Sequence, residues 1–504
     1  MASEIRVNKI ENRSGLGTVT FADTGVDLAG IVTATTFSGS GASLTALPAG
    51  NLTGTVADAR ISTLTASKLS GALPAISAAS LTNVPAANVV GVHTSLTVTN
   101  ATTTGTAVVG GGVTISESGI EASGIGITCA SINETFIGGR RNLIINGSHQ
   151  IAQRGTAAVT VNTSALYRCV DRYKSDIDGS SGGDWSHAQS TDVPSGQGFI
   201  NSSKITVVTQ ASQPSSEGNR HQLYYQAEKQ DVTYLEWGTS SAKTCTLSFW
   251  VKSSVAGIYA LWFQHYSSGG SKYYFTNYTI NATNTWEKKS ITLTGSTSGG
   301  NVSGTSAVGF RIEWGLGYGS DAETGTLNEW TTSGTVRAAS NTVYLPENSG
   351  ATFYLTGCQF EVGSQATPFE HRSFGEELSL CQRYYYQNTS YGTVAQQDGG
   401  ETVNTSGFGG ITMYSATYGR SPFIYHPVMM RATPTVTFYS ASNAAGGADS
   451  KLSIYSGGTG WDNVNTNTAE GTNFHMGFKI TTNDNFSAGY TYLMGGQFSC
   501  DAEL

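Results

Sequence analysis

The segment Cys245–Ser253, CTLSFWVKS, sets the fold class because apolar and polar side chains alternate along it. Leu247, Phe249 and Val251 fall on one face of an extended chain, and most of the residues between them are polar. A period of two is typical of a β-strand that is buried on one face. The segment therefore predicts a strand of an antiparallel sheet.

Further segments repeat this pattern, among them ATFYLTGCQFEVGS from Ala351, TWEKKSITLTG from Thr285 and TPTVTFYSAS from Thr433. In the first, a constant period of two places Tyr354, Cys358, Phe360 and Val362 mostly on one face and Phe353, Leu355, Gln359 and Glu361 on the other. Clusters of Gly, Asn and Ser separate the strands. Regular short strands with such turns predict an all-β chain built of sandwiches or jelly rolls.

The composition of the 504 residues agrees with this fold class. Charged residues make up 12% of the chain, about half the usual share, and there are 62 Gly. Helical bundles and doubly wound α/β enzymes need more Glu, Lys, Ala and Leu, so both are disfavoured. The net charge of −8, without a basic cluster, argues against nucleic acid or an anionic membrane as partner.

Targeting and cysteine signals are weak. No apolar run reaches the 18 or more residues of a membrane span, so no membrane insertion is expected. The polar N-terminus, MASEIRVNKIENRSG, lacks the apolar core of a signal peptide, which predicts synthesis in a cytoplasm without a secretory route.

The six cysteines are scattered along the chain, which predicts free thiols rather than disulfides.

Aromatic residues divide the chain in two. All 24 Tyr and all 8 Trp lie at or after Tyr167, and small apolar residues replace them before that point. There ASLTALPAGNLTG from Ala42 returns as ASLTNVPAANVVG from Ala79. One such unit buries too little apolar area to offset its ordering entropy, so it needs neighbours in a solenoid or across chains. We favour identical chains wound around one axis, with a flexible linker as the alternative.

One helix is predicted in SFGEELSLCQRYYYQ, between two β regions. Ser373 and Glu376 stand in capping-box register, and Glu377 adds a second acidic residue in the first turn. Leu378, Cys381 or Gln382, and Tyr385 follow at helical spacing. We interpret this helix as a hinge and domain boundary.

Several motifs resemble one class of viral protein. ENRSGLGTVTFADTGVDLAGIVTATTFSG, from Glu11, resembles the opening of bacteriophage tail-fibre and virion structural proteins, notably of phages that infect cyanobacteria. NLIINGSHQIAQRGT from Asn142 and CQFEVGSQATPFEHRSFGEELSLCQRYYYQ from Cys358 are similar to the entry strand and exit segment of a carbohydrate-binding-module-like jelly roll in phage fibres. SPFIYHPVMMRATPTVTFYS and the terminal GGQFSCDAEL look like the C-terminal domain that commonly follows.

The resemblance implies a domain order. The expected parts are a virion-attachment segment at 1–37, a repetitive trimeric shaft at 38–139, a carbohydrate-binding-module-like jelly roll at 140–372, a linking helix at 373–388 and a distal β domain at 389–504, the candidate receptor-binding tip.

The resemblance also implies a function. We expect a homotrimeric tail fibre of the virion, assembled in the host cytoplasm, that attaches to other phage tail or virion proteins through its N-terminus. Its tip would bind a host surface polysaccharide or lipopolysaccharide without catalysis. A purely structural head fibre or tail connector is the first alternative, and a glycan depolymerase is the second.

Candidate glycan contacts follow from the chemistry of sugars, which present C–H faces to aromatic rings and hydroxyls to polar groups. Gly-flanked aromatics are the better candidates for exposed loop platforms, and polar residues beside them are candidates for hydroxyl contacts. These residues are Tyr318, Asp321, Tyr418, Arg420, Trp461, Asp462 and Asn463. The alternative role for any of these rings is packing in a β core or a trimer interface.

Catalytic and metal signals are absent from the sequence. Glu361 and Glu370 are close in sequence, but Glu361 matches the exit strand of the family, which favours a structural role. No nucleophile elbow, zinc-protease motif or P-loop occurs, and no two His stand at ligand spacing. We expect no catalytic residue, no metal site and no cofactor.

Overall fold

The computed structural model describes part of the chain in detail. The described residues are 9–11, 18–29, 31–33, 35–36, 38, 107–109, 113–116, 119–122, 140–162, 166–178, 183–216, 218–302, 304–323, 326–338, 342–395, 407–440, 451–455, 461–463, 466–481 and 486–504. The chain divides into two compact units, Met1–Gly105 and Thr106–Leu504. Each is described by itself below.

Three short strands form an antiparallel sheet in the first unit: β1 (Lys9–Glu11), β2 (Thr18–Ala22) and β3 (Gly25–Ala29). In the second unit, β4 (Ala107–Val109), β5 (Val113–Ser116) and β6 (Gly119–Ala122) form another. The repeats of the expected trimeric shaft lie outside the described residues.

Residues 140–372 fold as a β-sandwich. Its strands are β7 (Val159–Val161), β8 (Leu166–Tyr167), β9 (Tyr173–Asp178), β10 (Asp184–Ser190), β11 (Ser202–Thr209), β12 (Arg220–Glu228), β13 (Cys245–Ser253), β14 (Gly257–His265), β15 (Lys272–Ile280), β16 (Glu287–Leu293), β17 (Val308–Tyr318), β18 (Trp330–Thr331) and β19 (Thr352–Val362). A one-turn helix, α1 (Lys229–Val232), follows β12, and 3₁₀ turns occur at Thr233–Leu235, Ser320–Ala322 and Leu345–Glu347.

Two antiparallel sheets face each other across the core. One has the order β16-β13-β19-β11-β10-β7 and the other the order β18-β15-β14-β17-β12-β9-β8. Leu247, Phe249 and Val251 of β13 point into the core as their alternation predicts, and the Trp314 ring from the opposite sheet packs against Phe249 there. The predicted all-β class is confirmed.

The alternation predicted for β19 is wrong in its second half, because the strand contains a β-bulge. Between Ser248 and Trp250 of β13 the register shifts, and β19 carries one extra residue. Gly357 occupies the bulge with φ +63°, a conformation that suits glycine. Phe353 and Cys358 therefore both face the core, although a constant period of two would place them on opposite faces of the strand.

The predicted helix is present as α2 (Phe374–Gln382), and the Ser373 side chain accepts a hydrogen bond from the Glu376 amide at its N-terminus. It is shorter than expected, because Tyr385–Gln387 form a strand. These residues pair through their backbones with the last strand of the chain, which prevents the helix from continuing despite their helical spacing. Tyr also favours strands over helices.

The C-terminal region contains two further antiparallel sheets. Its strands are β20 (Tyr385–Gln387), β21 (Gly407–Ser415), β22 (Tyr418–Arg420), β23 (Ile424–Tyr425), β24 (Thr435–Tyr439), β25 (Ser453–Tyr455), β26 (Trp461–Asn463), β27 (Thr466–Gly471), β28 (His475–Thr481), β29 (Thr491–Gly495) and β30 (Gln497–Asp501). An eight-stranded sheet runs β23-β28-β22-β21-β29-β25-β26, with β27 on β28, and a three-stranded sheet runs β20-β30-β24. Their facing sides share one core, to which Met413, Phe478 and Phe498 contribute.

Buried ion pairs join the C-terminal region to the sandwich. The chain returns after β30 so that Glu503 pairs with Arg172 and, at 3.4 Å, with Arg154. Arg383, just after α2, pairs with the buried Glu228 of β12 at 2.8 Å. The C-terminal region is thus held to the sandwich near both of its ends.

Five cysteines lie in the described part of the chain, and all five are buried free thiols, as expected: Cys169, Cys245, Cys358, Cys381 and Cys500. No helix in the described ranges has the length and apolar character needed to cross a membrane.

Candidate functional site

Tyr318 is not the exposed platform that its flanking glycines suggest. The side chain is 1% exposed, and its hydroxyl donates to Glu313 Oε1 at 2.7 Å. Arg311 and Arg337 pair with the same carboxylate at 2.6 and 3.0 Å. The ring lies directly over Gly315, where an added Cβ would stand 2.3 Å from it. The glycine makes room for a buried ring, and burial raises the pKa of the Tyr318 hydroxyl.

Asp321 differs from that buried ring in its exposure to solvent. It is exposed in the 3₁₀ turn Ser320–Ala322, and its backbone amide donates to the Ser215 carbonyl at 2.9 Å. The structure therefore does not combine Tyr318 and Asp321 into one exposed site.

Tyr418 and Arg420 lie on the outer face of a strand rather than on a loop, and Arg420 is exposed whereas Tyr418 is half-buried. Between them Gly419 faces the core, where an added Cβ would lie 2.6 Å from Met413 Sδ. Because neighbouring side chains in a strand alternate, the buried Gly419 forces Tyr418 and Arg420 onto the outer face of the eight-stranded sheet. Arg420 Nε donates to the Tyr418 hydroxyl at 2.6 Å.

An exposed tyrosine and two charged residues complete this part of the sheet. Tyr414 is 63% exposed, and its ring centroid lies 6.0 Å from that of Tyr418 with a 36° tilt. Glu470 pairs with Arg420 at 3.0 Å and stands 4.0 Å from Lys479. The pKa of Arg420 is raised by its bond to Tyr418 and by Glu470. The two tyrosine rings thus lie beside hydrogen-bonding side chains of both signs of charge.

An apolar cluster continues the same face past Arg420. Phe423 and Tyr425 are 62% and 65% exposed, and Phe474 is 55% exposed. The His475 ring joins them, with its centroid 4.4 Å from Phe423 and 6.1 Å from Tyr425. We call this exposed surface the aromatic face; its members are Tyr414, Tyr418, Arg420, Phe423, Tyr425, Glu470, Phe474, His475 and Lys479.

A shallow cavity of about 280 Å³ lies within the aromatic face, and Arg420, Phe423, Glu470 and His475 are among the residues that line it. Gly477 lies at its base, and an added Cβ there would stand 3.3 Å from the Phe423 ring. The volume is close to the lower end of ligand-binding clefts. The face offers flat rings together with hydrogen-bonding groups, which is the combination that sugar recognition requires.

Trp461, Asp462 and Asn463 form β26 at the far edge of the eight-stranded sheet, paired with Ser453–Tyr455. Their side chains lie outside the described residues. Strands β21, β29 and β25 separate β26 from β22, so the backbones are about 19 Å apart at the usual strand spacing. The fold therefore does not place these three residues beside Tyr418.

Phe423, Tyr425 and Glu470 were missed as site residues by the sequence reasoning. Phe423 and Tyr425 alternate within SPFIYHP, which signals two faces but not which face is covered. Glu470 reaches Arg420 only because β27 and β22 both pair with β28.

The carboxylates considered for catalysis hold the backbone in place. Glu361 accepts from the amide and hydroxyl of Thr367 at 2.8 and 2.6 Å, and Glu370 accepts from the amides of Arg141 and Asn142 at 2.6 and 2.9 Å. Glycoside hydrolysis needs two carboxylates across the scissile bond. In the described part of the aromatic face, Glu470 is the single carboxylate.

The described ranges contain no group of three or more His, Cys, Asp or Glu residues placed to hold a metal ion.

Comparisons with known proteins give distant structural similarities. No protein-family model matches the chain, and no curated protein matches it. Similar solved structures include the enzymatically active domain of tailspike protein 4 from bacteriophage CBA120, at 11% identity and a TM-score of 0.24, over 44% of this chain and 21% of that one. The chain thus spans about a fifth of the tailspike structure.

Two structures of carbohydrate-binding modules are also similar to the chain. A family 11 module from Clostridium thermocellum, in complex with a β-1,3-1,4-mixed-linked tetrasaccharide, matches at 14% identity and a TM-score of 0.22, over 41% of this chain and 99% of that one. A tandem pair of family 22 modules from Paenibacillus barcinonensis matches at 9% identity and a TM-score of 0.22, over 70% and 99%.

Proposed function

We propose that this chain is a virion fibre adhesin that binds a bacterial surface glycan through the aromatic face of its C-terminal domain, without catalysis. The observation that carries the proposal is the pair of neighbouring rings of Tyr414, which is exposed, and Tyr418, which is half-buried, beside Arg420, Glu470 and Lys479. The rings offer flat contacts for pyranose C–H groups, and the charged groups offer hydrogen bonds to hydroxyls.

The rigidity of the face supports binding rather than chance exposure. Tyr418 and Arg420 stand on β22, between β21 and β28, and bond to each other. A preformed surface loses little entropy when it binds, so even a few contacts give measurable affinity.

The quaternary part of the proposal is a homotrimer attached to the virion through its N-terminus. Three aromatic faces on one fibre would bind a repeating polysaccharide together, and the linked sites would hold far more tightly than one site. A solution mass of three chains is the expected result, and a monomer would contradict this part.

The test of the function is competition for adsorption by the full-length protein. Purified wild-type chain should reduce attachment of the corresponding phage to its host, and Arg420→Met, which removes the donor beside Tyr418, should compete less well. If the wild-type protein leaves adsorption unchanged, the adhesin assignment fails and a structural head fibre or connector is favoured.

The depolymerase alternative is separated by a product assay. Incubation of the protein with host polysaccharide should release no reducing sugar, because the described aromatic face holds one carboxylate where hydrolysis needs two. Release of reducing ends would contradict the noncatalytic proposal.

A further inference from the structure

Two cations stand directly opposite each other on the aromatic face. Arg420 of β22 and Lys479 of β28 are partners in the antiparallel register of these two strands, so their side chains lie side by side. The side chains are 48% and 38% exposed. Like charges in this cross-strand position repel each other and destabilise the strand pair. The sheet therefore keeps a charge pair that weakens it.

One carboxylate lies near both cations but pairs closely with only one of them. Glu470 Oε2 lies 3.0 Å from an Arg420 amino nitrogen, whereas Glu470 Oε1 lies 4.0 Å from Lys479 Nζ, which is beyond hydrogen-bond distance. In the described part of the aromatic face, two cations thus stand against one carboxylate, although the whole chain has a net charge of −8. A local excess of positive charge attracts an anionic ligand.

The tyrosine rings lie next to the two cations. The centroid of the Tyr418 ring is 5.7 Å from Lys479 Nζ and 6.0 Å from the Arg420 guanidinium carbon. The exposed Tyr414 ring lies 6.0 Å from that of Tyr418 and extends the apolar surface away from the charges. A pyranose whose C–H face rests on these rings would therefore bring a substituent at its edge to the cations.

The guanidinium is held in a fixed position. Arg420 Nε donates to the Tyr418 hydroxyl at 2.6 Å, and the opposite side of the group pairs with Glu470. A planar guanidinium recognises a carboxylate or a phosphate by its direction, and an ammonium such as that of Lys479 adds a point charge. The two cations together offer an anion both a direction and a charge.

A structural role does not account for these three charged groups. Exposed ion pairs of this kind contribute at most about 1 kcal/mol to the free energy of unfolding. The pair between Arg420 and Glu470 gains no more than that, and the cross-strand repulsion reduces the gain further. Substitutions at these positions should therefore leave the fold intact.

We propose that the aromatic face selects an anionic pyranoside, whose carboxylate or phosphate group contacts Arg420 and Lys479 while its ring lies on Tyr414 and Tyr418. This inference rests on the proposed function and names the class of sugar that the same site takes. The bound anion relieves the repulsion between the two cations, which a neutral sugar does not do. A cationic amino sugar adds a third positive charge and is rejected.

The test is titration calorimetry of the full-length protein with galacturonic acid, glucuronic acid, glucose 6-phosphate, galactose and glucosamine. At least one anionic sugar should bind the wild-type protein, and the separate carboxylate and phosphate probes show which anion is preferred. Inorganic phosphate is included because it carries the charge without the ring, and it should bind at least about tenfold more weakly than the preferred sugar.

Three variants test the charged groups. Lys479→Met should weaken binding of the anionic sugar by at least about tenfold, and Lys479→Arg should restore it, because the positive charge returns. Glu470→Gln should strengthen binding, because it removes the carboxylate that competes for the cations. Lys272→Met, which removes a lysine of β15 in the sandwich, is the matched control and should bind as wild type does. Thermal unfolding shows whether each variant is folded.

The inference is overturned if no anionic sugar binds the wild-type protein, or if inorganic phosphate binds as tightly as the preferred sugar. It is also overturned if Lys479→Met binds as Lys272→Met does, if it weakens galactose as much as the anionic sugar, or if Glu470→Gln fails to strengthen binding.

Failure of the proposed function gives a different result. A wild-type chain that does not compete with phage for adsorption contradicts the adhesin, whichever sugars it binds. A wild-type chain that competes, with a Lys479→Met variant that competes equally well, contradicts only the selection of an anionic sugar.

Discussion

The two β regions of this chain differ in how far some of their large aromatic residues reach solvent. In the sandwich, Trp262, Trp314 and Tyr318 are at most 1% exposed. In the C-terminal region, Tyr414, Phe423 and Tyr425 are more than 60% exposed. Both regions are built from antiparallel strands, so strand chemistry does not explain the difference.

The number of covering layers explains it. Each sandwich sheet packs on the other, and loop segments cross its outer side as well: Arg337 covers Trp262 at 4.2 Å, and Phe369 packs on Phe199. The described part of the eight-stranded sheet packs on the three-stranded sheet with one face only. Alternate aromatic residues of its strands therefore remain in solvent. Exposed apolar patches of this kind mark binding surfaces in soluble proteins.

The largest expected effect is loss of a sandwich ring. Trp314→Ala removes contacts with Tyr173 and Phe249 in a fully buried site and should lower the free energy of unfolding by about 3–5 kcal/mol. Denaturant unfolding measures it. A loss below about 1 kcal/mol would mean that the sandwich interior is not closely packed.

Next in size is the ion pair between the two regions. Arg172→Met leaves the buried Glu503 carboxylate without its closest partner and should cost about 3 kcal/mol. Arg140→Met is the control, because its pair with Glu376 is exposed and should contribute less than about 1 kcal/mol. Equal losses in the two variants would show that the regions are not held together by buried charge.

A pH dependence should follow from the closed sandwich core. His187 bridges the two sheets through Ser175 and Ser203, and burial, followed by nearby Arg168, lowers its pKa to about 3. Between pH 6.5 and 3 the unfolded chain then binds more protons than the folded chain, so stability falls as the pH is lowered through this window. Above pH 6.5 the imidazole is neutral in both the folded and the unfolded chain, so the free energy of unfolding no longer changes with pH through His187.

His187→Gln tests this by the slope of the unfolding free energy against pH. Between pH 6.5 and 3 the free energy of unfolding of the variant should fall by roughly 3–5 kcal/mol less than that of the wild type. At pH 7 the variant is less stable than the wild type. Parallel slopes in the two proteins would contradict a neutral buried imidazole.

The smallest stability effect is expected on the aromatic face. Tyr414→Ala should change the free energy of unfolding by less than about 0.5 kcal/mol, because its ring is mostly in solvent. A decrease of more than 1 kcal/mol in the free energy of unfolding would identify Tyr414 as a core residue and contradict the difference in exposure between the two regions.

The same layering marks the limit of what the sequence predicts. Period-two alternation identifies the strands, and Ser373 with Glu376 identifies the helix start, because both signals are local. Gly-flanked aromatics are ambiguous: Gly419 sends Tyr418 outward, whereas Gly315 accommodates the buried Tyr318. Which reading holds depends on the layer above the sheet, which is distant in sequence.

The aromatic contacts around the β19 bulge were beyond prediction for the same reason. They join Gly357 to Phe199 and Phe369, which lie far apart in the chain. Gly357 is visible in the sequence, but its partner rings are not assigned to it by any local pattern.

Binding of the full-length protein to immobilised bacterial surface polysaccharides tests the central claim most directly. The wild-type chain should bind at least one of them, and the Tyr414→Ala, Tyr418→Ala double variant should lose at least about tenfold in affinity at unchanged stability. Tyr490→Ala, equally exposed at 66% but outside the aromatic face, is the matched control and should bind normally. Equal binding by the double variant and the control would contradict glycan recognition by the aromatic face.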